Sequence, residues 1–183
     1  MSYYIYRISL IDNSENIVDF TLIFNRFKKK LYNYVLKMTQ DIMLTEDIVQ
    51  DIFLKLYQNL NRIQSKEKIN FWLFTTARNE IYGYYRKKRI RTDQFNVDDI
   101  NETEIFSENN IEDDIEKKEI QDLMLNELDK LPVEQKEVFI LKAYSGMKYS
   151  EIGIVMGIDE KLVKSRLNKV RTKLINRISK LIV

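Results

Sequence analysis

The sequence predicts an all-α protein of two small helical domains joined by a flexible acidic linker, with a helix-turn-helix in the C-terminal domain. Three observations predict it. The 183 residues include only 4 Gly and 1 Pro, so little interrupts a helix. Apolar residues recur at spacings of three and four on both sides of the chain's middle, the signature of a helix with one buried face. Between those halves, residues 93–116 carry ten Asp/Glu and no Lys/Arg and lack any helical apolar period, which marks a linker.

Three helices precede that strip. The first follows from Phe20, Phe24, Phe27, Leu31, Val35 and Met38. The second follows from Ile48, Ile52, Leu56 and Leu60, with Val49 and Phe53 beside them. Thr45, Glu46 and Asp47 offer it an N-terminus with acids where the helix dipole favours them. The third follows from Leu73, Ala77, Ile81 and Tyr84. Gly83 inside it costs about 1 kcal/mol relative to Ala and predicts a weak or bent point.

After the strip, Ile120, Leu123, Met124, Leu128 and Leu131 form a stripe. Pro132 suits the first position of a new helix carrying Val138, Phe139 and Leu141, and Gly146 suits its stop. A short helix is expected over Ser150–Met156, with Gly157 as a left-handed terminator. Asp159 is expected to cap a last helix striped by Val163, Leu167, Val170, Leu174, Ile178 and Leu181.

Charge is distributed unevenly. The net charge is +2, yet residues 17–92 carry 15 Lys/Arg against 7 Asp/Glu and residues 117–183 carry 14 against 9. Two basic blocks flank an acidic strip, the footprint of a polyanionic partner. There is no Cys and no His. That excludes disulfides, thiol chemistry, the usual zinc sites and histidine acid–base catalysis. No run approaches the roughly 18 apolar residues of a membrane span, and the start MSYYIYRISLIDNSEN lacks the basic-then-apolar order of a signal peptide. A cytoplasmic protein without membrane insertion is expected.

Tyr149 to about Arg171 carries the sharpest chemistry. Ile152 and Val155 should face inward, Gly153 should allow a close helix crossing, and Ile158 should plug the turn Gly157-Ile158-Asp159. The last helix then presents Glu160, Lys161, Lys164, Ser165, Asn168 and Lys169, with Arg166 and Arg171 at the edges. A helix of this kind enters the major groove, where Lys and Asn meet base edges and phosphates. The plainer alternative is a helical hairpin with a solvated basic face.

In the first half, FWLFTTARNEIYGYYRKKRIR (71–91) interleaves aromatics with a basic run. Arg86, Lys87, Lys88, Arg89 and Arg91 would attract phosphates, and Trp72, Tyr82, Tyr84 and Tyr85 could stack on unpaired bases. Here the plainer alternative is a core helix with a solvated basic end. TEDIVQDIFLKLYQNL (45–60) instead sets Glu46, Asp47, Gln50 and Asp51 on its polar face, a poor surface for DNA. That face suits either protein docking or solvation.

Four segments in order, TEDIVQDIFLKLY, FWLFTTARN with a following Arg86, LPVEQKEVFILKAYSGMKYSEIGIVMGI and VKSRL, together resemble the extracytoplasmic-function (ECF) group of bacterial RNA polymerase sigma factors. The resemblance covers about residues 20–92 and 117–180. It implies sigma domain two over 19–92 and sigma domain four over 117–183, with an extension over 1–18 that has no counterpart. It implies that Asp47, Gln50, Asp51 and Phe53 bind core RNA polymerase. It implies that Trp72, Arg78, Asn79, Tyr82, Arg86, Lys87 and Arg89 bind the minus-ten promoter element, with a flipped base near residues 61–70. Glu160, Lys161, Lys164, Ser165, Arg166, Asn168 and Lys169 would read the minus-thirty-five element. An anti-sigma partner is also implied. Relatives usually carry Ala at Thr45, Asp at Gly83 and Gly-Thr at Lys161-Leu162, so no promoter sequence carries across.

Two other classes compete with this reading. A stand-alone helix-turn-helix regulator would bind closed duplex and associate with itself. An enzyme acting on DNA would need a nucleophile and its activators. The chain has no His and no phosphate-cradling Gly-rich loop, and its adjacent carboxylate pairs, Asp98/Asp99 and Asp113/Asp114, fall in the linker. The expectation is therefore a non-enzyme with no cofactor, no metal and no small-molecule substrate.

Overall fold

A computed structural model of the chain describes residues 14–60, 63, 68–95 and 123–179. Those residues contain helices and no strand. The first unit comprises α1 (Ser14–Thr39), α2 (Ile42–Asn59) and α3 (Lys68–Phe95). A helix over 123–129, here α4, begins the second unit, followed by α5 (Val133–Ala143), α6 (Tyr149–Met156) and α7 (Glu160–Ile178). Among the described residues no helix is long and apolar enough to cross a membrane.

The predicted stripes make the core. Leu31, Val35, Ile52, Leu56, Leu73, Ala77 and Ile81 are fully buried where α1, α2 and α3 pack on one another. Val138, Leu141, Ile152, Val163 and Val170 do the same where α5, α6 and α7 meet, and Leu128 of α4 is fully buried as well. Ile120 and Leu181 lie outside the described residues, as do 96–116 of the linker and 1–13 of the extension. Helix α3 reaches three residues into the stretch read as linker, and α1 begins before residue 19.

Three local expectations are corrected. Helix α2 starts at Ile42, not near Thr45. Its cap is Asp41, whose carboxylate accepts from the Leu44 amide at 2.9 Å. Gln40 at φ 57° makes the sharp turn out of α1. Thr45 is instead buried one turn into the helix, where its hydroxyl donates to the Asp41 carbonyl at 2.6 Å and lies 2.9 Å from the Thr39 hydroxyl. Helix α3 continues without interruption through Gly83. Pro132 is the residue before α5 and not its first turn. At Gly153 the close neighbour is a backbone carbonyl and not a crossing helix. A Cβ there would lie 2.7 Å from the Ile158 oxygen.

The two units do not stand apart. Helix α1 packs against α5, and α3 packs against α6. The sequence predicted two heads on a flexible strip and gave no reason to expect a shared face.

Candidate nucleic-acid and protein interfaces

Helix α7 and the turn before it are built as the sequence predicts. Gly157 closes α6 in the left-handed conformation, φ 66°, and the Ile158 amide donates back to the Gly153 carbonyl at 3.0 Å. Asp159 caps α7 by accepting from the Leu162 amide at 2.6 Å. Ile158 is half-buried against the core, a partial plug. Val163, Leu167 and Val170 anchor the inner face. Glu160, Lys161, Lys164, Ser165, Asn168 and Lys169 are all exposed on the other face, with Arg166 half-buried at its edge. Lys164 pairs with Glu160 at 2.7 Å and lies 5.6 Å from the Tyr149 ring centroid. The carboxylate raises the lysine's pKa, which keeps the ammonium charged.

Helix α3 separates its candidates. Asn79, Arg86 and Lys87 are exposed, and Trp72 is half-buried against the core. Arg89 lies on the helix, but its side chain is outside the described residues. Tyr84 and Tyr85 are 36% and 37% exposed and meet edge-on, and the buried end of Tyr85 is its hydroxyl, which donates to the Met38 carbonyl at 2.9 Å. Arg78 and Tyr82 are engaged elsewhere, as described below.

On α2, Asp47 and Asp51 are exposed and Gln50 is half-buried. Phe53 is corrected. It is 4% exposed, its ring 4.7 Å from Phe24 and 6.4 Å from Phe20, so it supports the helix from beneath and cannot touch a partner directly. Met43 and Leu54, 78% and 43% exposed, share the Asp47 and Gln50 face at spacings of four, three and four. Sequence reasoning missed both, although the spacing could have found them: they fall off the buried stripe, where a large apolar residue has no core to enter.

Glu137 is the residue that the sequence concealed. It is completely buried on α5, where that helix meets the first unit. The Tyr34 hydroxyl donates to its Oε1 at 2.8 Å and the Tyr82 hydroxyl to its Oε2 at 2.9 Å. Arg78 Nε stands 3.0 Å from Oε1. Its N–H is not aligned for a hydrogen bond, so the contact is an ion pair. The guanidinium also lies 4.5 Å from the Tyr82 ring centroid. Burial and the adjacent carboxylate push the Tyr34 and Tyr82 hydroxyls well above the usual phenol range. For Arg78, desolvation opposes the charge, and the carboxylate more than offsets it. At the rim, Lys136 pairs with Asp129 at 2.6 Å and reaches the Met38 carbonyl at 3.3 Å. Gln40 bonds Asp129, and Lys37 lies over the Tyr144 ring.

Fold and surfaces define a class: a two-unit helical protein with a helix-turn-helix whose outer face is basic, a basic aromatic helix, and a helix with an exposed acidic face. The comparisons narrow it. Residues 23–91 match the Sigma-70 region 2 family and residues 121–174 match the Sigma-70, region 4 family. The ECF RNA polymerase sigma factor SigL of Mycobacterium tuberculosis is 31% identical over 139 residues, 75% of this chain and 76% of that protein. SigM of Bacillus subtilis is 27% identical over 152 residues, 83% of this chain and 90% of that one. Among solved structures, RpoE of Bartonella quintana bound to the anti-sigma factor NepR matches with a TM-score of 0.75 at 23% identity, covering 88% of this chain and 97% of that one. CnrH bound to the cytosolic domain of CnrY matches with a TM-score of 0.62 at 21% identity, over 88% of each. The chain belongs to the ECF RNA polymerase sigma factors. It acts in transcription initiation by binding core RNA polymerase and recognising promoter DNA.

Proposed function

We propose a division of labour among named surfaces. The region from 19 to 92 is sigma domain two. On it, Asp47, Gln50, Asp51, Met43 and Leu54 form the face that docks on core polymerase, and Phe53 holds that face in shape. Trp72, Arg78, Asn79, Tyr82, Arg86, Lys87 and Arg89 hold the opened minus-ten strand. The region from 117 to 183 is sigma domain four, and Glu160, Lys161, Lys164, Ser165, Arg166, Asn168 and Lys169 read the minus-thirty-five element. Residues 93–116 connect the two, and 1–18 form an extension. The protein drives strand opening through binding energy and not through catalysis, works in the cytoplasm beside polymerase, and is restrained by an anti-sigma partner of the kind seen with RpoE.

The observation that carries this reading is the exposed, capped α7 face in a chain matching both sigma regions in order. A stand-alone regulator is not favoured, because it leaves the region 2 match without a role. The test is reconstitution. The chain is mixed with core polymerase and a bank of promoter fragments, and specific initiation is expected. Failure to co-purify with core, together with no transcript from any fragment, would sink it.

A further inference from the structure

The contact between the two units occupies residues that promoter DNA would need. Arg78 and Tyr82 are assigned above to the opened minus-ten strand, and both point at Glu137 of the other unit. The Glu137 carboxylate therefore offers Arg78 and Tyr82 an anion, as a strand phosphate would, and is held by that guanidinium and two phenols.

Burial makes this contact all-or-none. A carboxylate with no exposed surface is tolerated only while every partner is in place. Tyr34 and Arg78 serve one oxygen and Tyr82 the other, so Glu137 cannot lose the first unit by degrees. It is either buried with all three partners or released into water. The rim contacts of Lys136, Gln40 and Lys37 reinforce the closed arrangement without entering the DNA-binding set.

We propose that Glu137 is an intramolecular latch: in the free protein it closes domain four onto domain two and masks Arg78 and Tyr82, and polymerase or promoter DNA must displace it. The proposal rests on the minus-ten assignment made above. Masking has a measurable consequence, because a binding-competent state populated at one part in ten weakens apparent affinity about tenfold.

The test uses the full chain, whose sequence contains no cysteine, so two introduced thiols label without competition. Labels at Gln58 and Thr172, both exposed and one on each unit, report the separation by energy transfer. The wild type should show one short distance. Glu137→Ala should shift it to a long, broad distribution and tighten binding of a single-stranded promoter oligonucleotide at least about tenfold. Tyr34→Phe removes one hydrogen bond and keeps the ring, and should move both readouts partway. Circular dichroism at the same time reports that the variants stay helical. If Glu137→Ala misfolds, Tyr34→Phe alone decides. Unchanged distances in the folded variants would overturn the latch. So would longer distances with no gain in oligonucleotide binding. Transcription with core polymerase separates the two claims: a wild type that initiates normally while the latch variants behave like it leaves the sigma assignment standing and removes only the latch.

Discussion

Gly153 and Gly83 are both helical glycines, and their surroundings give them opposite predicted effects. At Gly153 a Cβ would meet the Ile158 carbonyl oxygen at 2.7 Å, and a backbone atom cannot rotate away. Gly153→Ala is expected to destabilise the protein, because the upper part of the ~1–3 kcal/mol overpacking range exceeds the ~1 kcal/mol of helix propensity gained. A Cβ at Gly83 would meet nothing within 4 Å. Gly83→Ala is expected to stabilise by about 0.5–1 kcal/mol, since the unfolded chain loses freedom. Thermal melts of the two variants, moving in opposite directions by a few degrees, check the pair. The sequence marked both glycines, but only the folded chain separates them, because the atom that matters at Gly153 comes from the turn beyond it.

At the scale of elements, the duties proposed for α7 and α2 are separable. Asp159 satisfies the first turn of α7 through the Leu162 amide. Asp159→Ala is expected to cost about 0.5–2 kcal/mol and to weaken binding to upstream promoter duplex, while polymerase affinity stays as it was. A melt and a duplex-binding titration measure this. On α2, Asp51→Lys reverses a charge on the face proposed for polymerase. It should reduce co-purification with core and leave the stability and the DNA binding of domain four unchanged. Equal loss of both properties in either variant contradicts the separation. Elements were the most legible level in the sequence. Their stripes, the Gly157 stop and the Asp159 cap depend on neighbours within a few residues. The start of α2 is not fixed locally, because Asp41 and Thr45 are both good capping types, and only the turn at Gln40 chooses between them.

For the whole molecule, the seam between the units should respond to alkali. Burial raises the Tyr34 and Tyr82 hydroxyls, and burial with nearby Asp129 pushes Tyr85 up to about 12. Unfolded tyrosines release their protons near pH 10. Above that the folded chain holds more protons than the unfolded one, so stability falls as pH rises. The loss begins near pH 10, runs to about pH 12 for Tyr85, and continues higher for Tyr34 and Tyr82. Denaturant midpoints at pH 9 and pH 11 should therefore differ, with the lower value at pH 11. The absorbance of tyrosinate should lag behind that of the unfolded chain, and superimposable titrations would contradict it.

By itself the sequence determined the helices, their buried stripes, the helix-turn-helix with its basic outer face, and the ECF family, because each is written in residues a few positions apart. Only the tertiary structure decided that Phe53 is buried beneath α2, that Met43 and Leu54 remain exposed on the face with Asp47 and Gln50, and that Arg78 and Tyr82 are held by Glu137. The partners of that carboxylate lie 103 and 55 positions away. Nothing local distinguishes a glutamate bound for burial from one bound for water: its charge says surface until a distant guanidinium and two phenols arrive to satisfy it.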